Sequence, residues 1–369
     1  MVLKKTSNSV QWLLAGKSNQ VAWLGDVSVS SSPFSIGRRK DADLPINDPL
    51  ISGSHAYFLE KGRKLFIQDE GSRNGTFVNG ERIDSETEVR PGDLIQFANS
   101  VFCLVLDEEL DDQRFSETMV TAKVQDAQNI IDLENLISLQ EFEVHLQSIV
   151  DLMNYQTIGF EGLVRTKLFK SPLELFSTAE EIRQEIELSE VIRRKAAIDY
   201  LAIKDLINSD GKKLFLNTHP NEVHDIYRLI RSMEELRNEF GELDFVLEIH
   251  ESAVTDMKNM AELCNELSQL DIEIAYDDFG AGQARFIELI EDPPAYLKFD
   301  IRLVRNIHQA SARRKKAIEQ LVKMVSSLDV NCIAEGIELK DDAAICQDFG
   351  FDLAQGYFFS RPSAMEDWV

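Results

Sequence analysis

Cysteine is scarce in this chain: Cys103, Cys264, Cys332 and Cys346 lie far apart, with no CxxC pair and no zinc-type spacing. That excludes a disulfide framework and a thiolate metal site, and leaves the four as reduced packing residues. Long apolar runs are missing too. No stretch approaches the roughly 20 residues that span a bilayer, and Val10–Leu14, after Lys4 and Lys5, is too short for a signal peptide. The expectation is a cytoplasmic protein with no membrane contact. None of the six histidines forms an HxH or HxxxH ligand pair. Positive charge is the most telling shortage. Lys and Arg number 39 against 64 Asp and Glu, a formal net charge of −25. A protein that grips nucleic acid by its backbone needs a basic surface, so DNA and RNA are excluded as partners. A phosphate-bearing ligand must be drawn by something local, such as acidic side chains loaded with divalent cations.

What is present divides the 369 residues into two segments of different pattern. Up to about Leu106 the chain reads as all-β. Short apolar runs (Leu65–Gln68, Thr76–Val78, Leu94–Leu106) alternate with turn signals at Asn74–Gly75, Asn79–Gly80 and Pro91–Gly92. A β-sandwich is the natural class. Residues 107–136 read as a linker: an acidic run Asp107–Asp112, a polar threonine-bearing stretch, then a short helical pattern near Ile130–Leu136.

From there strand-like runs alternate with helical ones. The strands expected are Phe142–Val150, Thr157–Val164, Leu214–Asn217, Phe245–Glu248, Ile272–Tyr276, Tyr296–Phe299, Cys332–Ala334 and Gly356–Phe359. The helices expected are Ala179–Ile207, Val223–Glu239, Asp256–Leu270, Ala312–Leu328 and Lys340–Phe349. This matches an α/β (β/α)8 barrel. An open doubly wound sheet is the alternative, and the lack of a glycine-rich loop after the first strand counts against it.

Polar residues interrupt the apolar runs at one kind of place, the strand end: Glu161, Asn217, Glu248, Asp277 with Asp278, Lys298, Glu335 and Gln355. In a parallel barrel these ends converge on one mouth. Any one acid alone reads equally well as a cap or a solvated loop residue; Asp277, for example, could cap a following helix. Seven interruptions at seven strand ends do not. Carboxylates gathered there repel one another unless divalent cations join them, and oxygen ligands without Cys or His suit Mg²⁺ or Mn²⁺. Adjacent Asp277 and Asp278 suit two ions a few ångströms apart, the arrangement of two-metal phosphodiester hydrolysis.

The same residues carry a resemblance. "FEVHLQSIVD" (Phe142–Asp151), "GFEGLVR" (Gly159–Arg165), "LNTHP" (Leu216–Pro220), "LEIHE" (Leu247–Glu251), "DDFGAG" (Asp277–Gly282), "LKFD" (Leu297–Asp300), "AEGIE" (Ala334–Glu338) and "AQGYFF" (Ala354–Phe359) resemble the EAL-domain cyclic di-GMP phosphodiesterases over residues 137–369. The resemblance implies a modified TIM-like barrel whose first strand runs against the others, two divalent cations, and hydrolysis of cyclic di-GMP to linear pGpG. It implies that Glu161, Asn217, Glu248 and Asp277 hold one metal, and that Asp277, Asp278 and Glu335 hold the second. Lys298 and Gln355 would act on the attacking water, Arg165 and Gln147 would bind substrate, and Glu251 would steady the loop after Asp278. A homodimer through this domain is also implied. Gly162 in place of the name-giving alanine, Ser148 where proline is usual and Ala281 in the loop are departures, yet every ligand position is filled, which favours an active enzyme over a catalytically silent cyclic di-GMP receptor or an adaptor that docks phosphoproteins.

"FSIGRRKDADLPINDPLISGSHA" (Phe34–Ala56) and "GSRNGTFVNG" (Gly71–Gly80) resemble the forkhead-associated (FHA) domain, within residues 1–106. That implies a phosphothreonine site with Arg38 and Ser52 on the phosphate, Arg73 and Asn74 on the peptide, and a structural His55. Gly53 departs from the Arg or Asn common there. The phosphothreonine partner is another protein or the chain's own linker, at Thr118 or Thr121.

Overall fold

The computed structural model describes residues 12–18, 21–106, 117–207, 211–253, 257–280 and 286–368, and they fall into two compact units divided between Asn135 and Leu136. Among them, no helix is long and apolar enough to cross a membrane.

The first unit contains β1 (Trp12–Ser18), β2 (Val21–Ser28), β3 (Phe34–Gly37), β4 (Leu44–Pro45), β5 (Ala56–Lys61), β6 (Lys64–Asp69), β7 (Thr76–Val78), β8 (Glu81–Arg82), β9 (Thr87–Val89), β10 (Leu94–Phe97) and β11 (Ser100–Leu106). They form two sheets, in the orders β2-β1-β11-β10-β7-β8 and β4-β3-β5-β6-β9. Alternation along each strand sends one side inward. Phe58, Phe97 and Phe102 interlock at ring centroid distances of 6.5 and 5.8 Å within a shared core with Ile36, Ile67 and Ile95. The expected single strand Leu94–Leu106 is a hairpin instead: Ala98 takes φ 49°, a left-handed residue that no glycine announces. The Asn79–Gly80 turn does join β7 to β8 with both residues at positive φ.

The linker helix is longer than its sequence signal. α1 spans Glu117–Leu139. It is seated on the sandwich: Val124 packs with Leu13, Ala15, Cys103 and Val105, and Gln128 Nε2 donates to Asn99 O at 2.9 Å. The side chains of Thr118 and Thr121 are outside the described residues, as is the acidic run Asp107–Asp112.

The second unit continues with β12 (Glu143–Asp151), β13 (Thr157–Arg165), α2 (Pro172–Glu181), α3 (Glu185–Ile203), β14 (Lys213–Asn217), α4 (Ile226–Glu239), β15 (Asp244–His250), α5 (Met257–Gln269), β16 (Glu273–Phe279) and α6 (Phe286–Glu291). It ends with β17 (Tyr296–Phe299), α7 (Ile301–Val304), α8 (Ala312–Ser326), β18 (Asn331–Ala334), α9 (Lys340–Phe349), β19 (Leu353–Gln355) and β20 (Ser363–Ala364). Strands β13 to β19 are parallel, and β12 closes the ring antiparallel to both β13 and β19. The result is an eight-stranded closed barrel, with β20 added on β12. Two expectations need correction. The helix Ala179–Ile207 is two helices, broken where Arg183 turns left-handed at φ 59°. The last barrel strand is Leu353–Gln355, so Gln355 lies in the strand, and Gly356–Phe359 is the turn that follows.

Candidate metal centre

A ring of apolar residues plugs the barrel: Ile149, Phe215, Val246, Ala275, Tyr296, Ile333 and Leu353, from seven of its strands, with Gly159 on the eighth leaving room for the Phe215 ring. Side chains on a strand return to the same face every second residue. One step further toward the mouth therefore puts a second ring above the plug: Gln147 (antiparallel, so numbered backwards), Glu161, Asn217, Glu248, Asp277, Lys298, Glu335 and Gln355. The polar interruptions of the sequence are this second ring.

Lys298, only 1% exposed, sits at its centre. Its Nζ lies 2.7 Å from Glu248 Oε1, 2.9 Å from Glu335 Oε1, 3.2 Å from Asp277 Oδ1 and 3.5 Å from Glu161 Oε2. Glu161 accepts hydrogen bonds from Asn217 Nδ2 at 3.0 Å and Gln355 Nε2 at 2.6 Å, and that same Gln355 group also reaches Gln147 Oε1 at 3.1 Å. Burial works against ionising Glu161, but the Lys298 charge and these two carboxamides hold its pKa below the usual value. Burial wins elsewhere. It drives Glu248 well above the carboxylate range, raises Asp277 despite Lys298, and pushes Glu335 up to about 8. Burial alone would lower Lys298, yet the surrounding acids, Asp277 first, raise it well above the ordinary lysine value.

Asp278 follows at φ 59° and differs from its neighbours: a hydrogen bond to His250, Nε2 to Oδ2 at 3.1 Å, holds its pKa low. Asp277, Asp278 and Glu335 bring one oxygen each within 4.8 Å of one another, so these three could hold a cation. The donor set fits hard cations on a further ground. Both oxygens of Glu248 and Oε1 of Gln355 are buried without a hydrogen-bond donor, the Lys298 ammonium being close to Glu248 but poorly aligned. Acceptor oxygens with no donor, in a site rich in carboxylates, are what Mg²⁺ or Mn²⁺ satisfies.

Glycine geometry fixes Gln355. The next residue, Gly356, takes φ 154°, and a Cβ there would lie 2.2 Å from Ile337 O. Only glycine lets the chain pass while Ile337 N donates to Gln355 O. Glu251 accepts the Gly280 N–H at 3.2 Å, at the start of the loop whose residues 281–285 are outside the described residues. Ala281 is among these. Arg165 shares the inward face with Glu161 and Leu163, two steps nearer the mouth, and its Nη1 donates to Val164 O at 2.8 Å. The cavity over the ring, about 450 Å³, is lined by Gln147, Glu161, Glu335 and Gln355, and also by Arg305, Glu338 and Tyr357. Arg305 pairs with Glu338 at 3.0 Å, and Arg361 stacks on Tyr357 at 5.1 Å. His250, Arg305 and Tyr357 escape sequence reasoning. They carry no ligand spacing, and a lone charged or aromatic residue at a strand end or in a loop is ordinary.

In the first unit, Arg38, Ser52, and Arg73 with Asn74 lie on three loops, after β3, β4 and β6. His55, fully buried, accepts Ser52 N–H at Nδ1 (3.1 Å) and pairs with Gly75 O through Nε2 (3.0 Å), which joins the last two loops and fixes the tautomer. Burial keeps it neutral by lowering its pKa. Ser52 Oγ accepts the Arg73 N–H at 3.1 Å, which leaves its hydroxyl proton to donate outward. Asn74 Nδ2 is committed to Leu50 O at 2.7 Å. Gly37 is required by close approach, since a Cβ would lie 2.2 Å from Gly53 O. Arg38 and Arg73 are exposed and make no ion pair among the described residues.

Comparison with known proteins adds to this geometry. The EAL domain family model matches residues 131–362, and the FHA domain model matches residues 34–98. The probable cyclic di-GMP phosphodiesterase PdeN of Escherichia coli is 25% identical over 248 residues, 64% of this chain and 46% of that protein. The cyclic di-GMP phosphodiesterase NbdA of Pseudomonas aeruginosa is 24% identical over 267 residues, 70% of this chain and 34% of that one. The chain thus spans a third to a half of the length of these relatives. Among solved structures, the PaMucR phosphodiesterase in complex with c-di-GMP superposes with TM-score 0.60 at 21% identity, covering 66% of this chain and all of that one (100%). The EAL enzyme Bd1971, bound to cAMP and cyclic-di-GMP, gives TM-score 0.61 at 20% identity over 84% of this chain and 90% of that one. These superpositions show a shared barrel fold.

Proposed function

Because this chain belongs to the EAL-domain family, we propose that its barrel hydrolyses cyclic di-GMP to linear pGpG with two divalent cations, and that its FHA domain localises or regulates it by binding phosphothreonine. The observation that supports this most is the ring of carboxylates around Lys298, in which both oxygens of Glu248 and Oε1 of Gln355 are buried without a donor. Glu161, Asn217, Glu248 and Asp277 would hold one cation, and Asp277, Asp278 and Glu335 the other. Bound there, the cations would supply a water of lowered pKa and neutralise charge on the phosphate. The protein's own groups do the rest. Lys298 keeps its proton and offers positive charge where the leaving oxygen becomes anionic. Gln355 orients the water, and Gln147 and Arg165 bind the substrate, Arg165 as a phosphate contact. Water's oxygen joins phosphorus, one P–O ester bond breaks, and the proton passes to the departing 3′ oxygen.

The test is chromatography of nucleotides after incubation with Mg²⁺ or Mn²⁺, run beside Glu161→Ala. Accumulation of pGpG by the wild type and its loss in the variant support the reading. Bound but intact dinucleotide under both metals would make this barrel a receptor and overturn the enzyme reading. Dimer formation through the barrel, the domain limits 1–106 and 137–369, and phosphorylation of Thr118 or Thr121 belong to the same proposal.

A further inference from the structure

The net charge of −25 repels an anionic substrate, and the metal-binding ring lies at the bottom of a cavity. One stretch of the barrel opposes this. α8 opens with Arg313, Arg314, Lys315 and Lys316, four consecutive cations directly after Ala312. A helix that follows a barrel strand begins on the face where that strand ends, here the mouth. Contacts fix the placement. Arg314 Nη2 donates to Arg302 O at 2.6 Å and Leu303 O at 3.1 Å, which ties the first turn of α8 to the segment leaving β17, and Arg305 of that segment lines the cavity.

Nearby charges are otherwise balanced. Arg302 pairs with Asp300 and Arg305 with Glu338, while Lys323 pairs with Glu319 farther along α8. Among the described residues none of the four cations of the first turn makes an ion pair: Arg314 and Lys315 reach backbone carbonyls, and Lys316 lies near Glu319, which is already paired with Lys323. Local stability does not explain them. Cations at a helix N-terminus oppose the macrodipole, no acid stands in that turn, and Asp or Glu would be favoured there.

We propose that Arg313–Lys316 form an electrostatic capture surface on the rim of the barrel mouth, which draws the anionic dinucleotide toward the metal-binding ring. The inference rests on the cyclic di-GMP reading above. It acts through long-range attraction and not through a contact in the reacting complex, so it governs the association rate and leaves the chemical step alone.

The experiment uses the full chain with Arg313→Glu/Lys316→Glu, which spares the two cations bonded to carbonyls. Association of a fluorescent cyclic di-GMP analogue is followed by stopped flow, with kcat/KM, kcat and Tm measured alongside. A control variant, Arg63→Glu/Lys64→Glu, changes net charge equally in the first unit. At low ionic strength, where the Debye length is about 30 Å, the α8 variant should lose about tenfold in association rate and kcat/KM. Its salt dependence should flatten, kcat should hold, and Tm should stay level or rise. The control should keep the wild-type association rate, salt slope and kcat/KM, with any change confined to Tm because Lys64 pairs with Glu88. An unchanged rate and salt slope in the α8 variant, or an equal loss in the control, overturns the capture surface alone. A wild type that neither binds nor cuts the dinucleotide overturns the functional reading and this inference with it.

Discussion

Glu335 shows at the scale of one residue what the metal-free ring costs. Burial pushes its pKa from 4.5 up to about 8, so the folded state holds a proton that the unfolded chain releases. Stability from such a raised acid is complete below the unfolded pKa and is lost as pH rises through the folded one. Metal-free protein should therefore melt at progressively lower temperature between about pH 5 and pH 8. Cations compete with that proton, so the rise in Tm on adding Mg²⁺ should be larger at pH 8 than at pH 6. Scanning fluorimetry across this range checks it, and a Mg²⁺ effect that shrinks with rising pH would contradict the assignment of Glu335 to the ring. Asp278 behaves oppositely, because His250 already stabilises its charged form.

At the scale of elements, the site depends on the pleat, which puts the inward side chain one step beyond the apolar plug around the mouth of the barrel. β19 is the shortest barrel strand, Leu353–Gln355, and it stops because Gly356 must slip beneath Ile337. Gly356→Ala should cost about 1–3 kcal/mol in chemical denaturation and, by displacing Gln355 from Glu161, should weaken metal binding as well. Full stability with unchanged metal affinity would show that the turn can relax. The elements that sequence reading drew wrongly share a cause. The hairpin at Ala98 and the helix break at Arg183 rest on non-glycine residues at positive φ, 49° and 59°. Nothing in their side chains announces that conformation; packing on either side imposes it. α1 was underestimated for a related reason, since its apolar residues make sense only against the sheet surface that receives Val124.

At the scale of the whole molecule, one acidic chain carries an FHA domain proposed to bind phosphothreonine and an EAL domain proposed to hydrolyse a phosphodiester. The proposed roles are separable by mutation. Arg38 is exposed and makes no ion pair among the described residues, and each charge-assisted hydrogen bond it would give a phosphate is worth about 1.5–3 kcal/mol. Arg38→Ala should therefore weaken binding of a phosphothreonine peptide by roughly 10- to 100-fold in calorimetry while the purified protein still produces pGpG. Loss of hydrolysis in that variant would mean that the phosphopeptide site is needed for catalysis itself.

The sequence by itself determined the two-domain character, the barrel, and the identity of the residues that interrupt its strands. Those signals are local: alternation, turn residues, and a polar side chain at the end of an apolar run. Tertiary structure alone decided that Gln147 Oε1 meets Gln355 Nε2, that Lys298 touches four carboxylates at once, and that His250 and Arg305 stand beside them. It also decided that the first turn of α8 is tied, through Arg314, to the segment leaving β17. Closure of the barrel brings together residues far apart in the chain, and their charges acquire meaning only at the distances that closure sets.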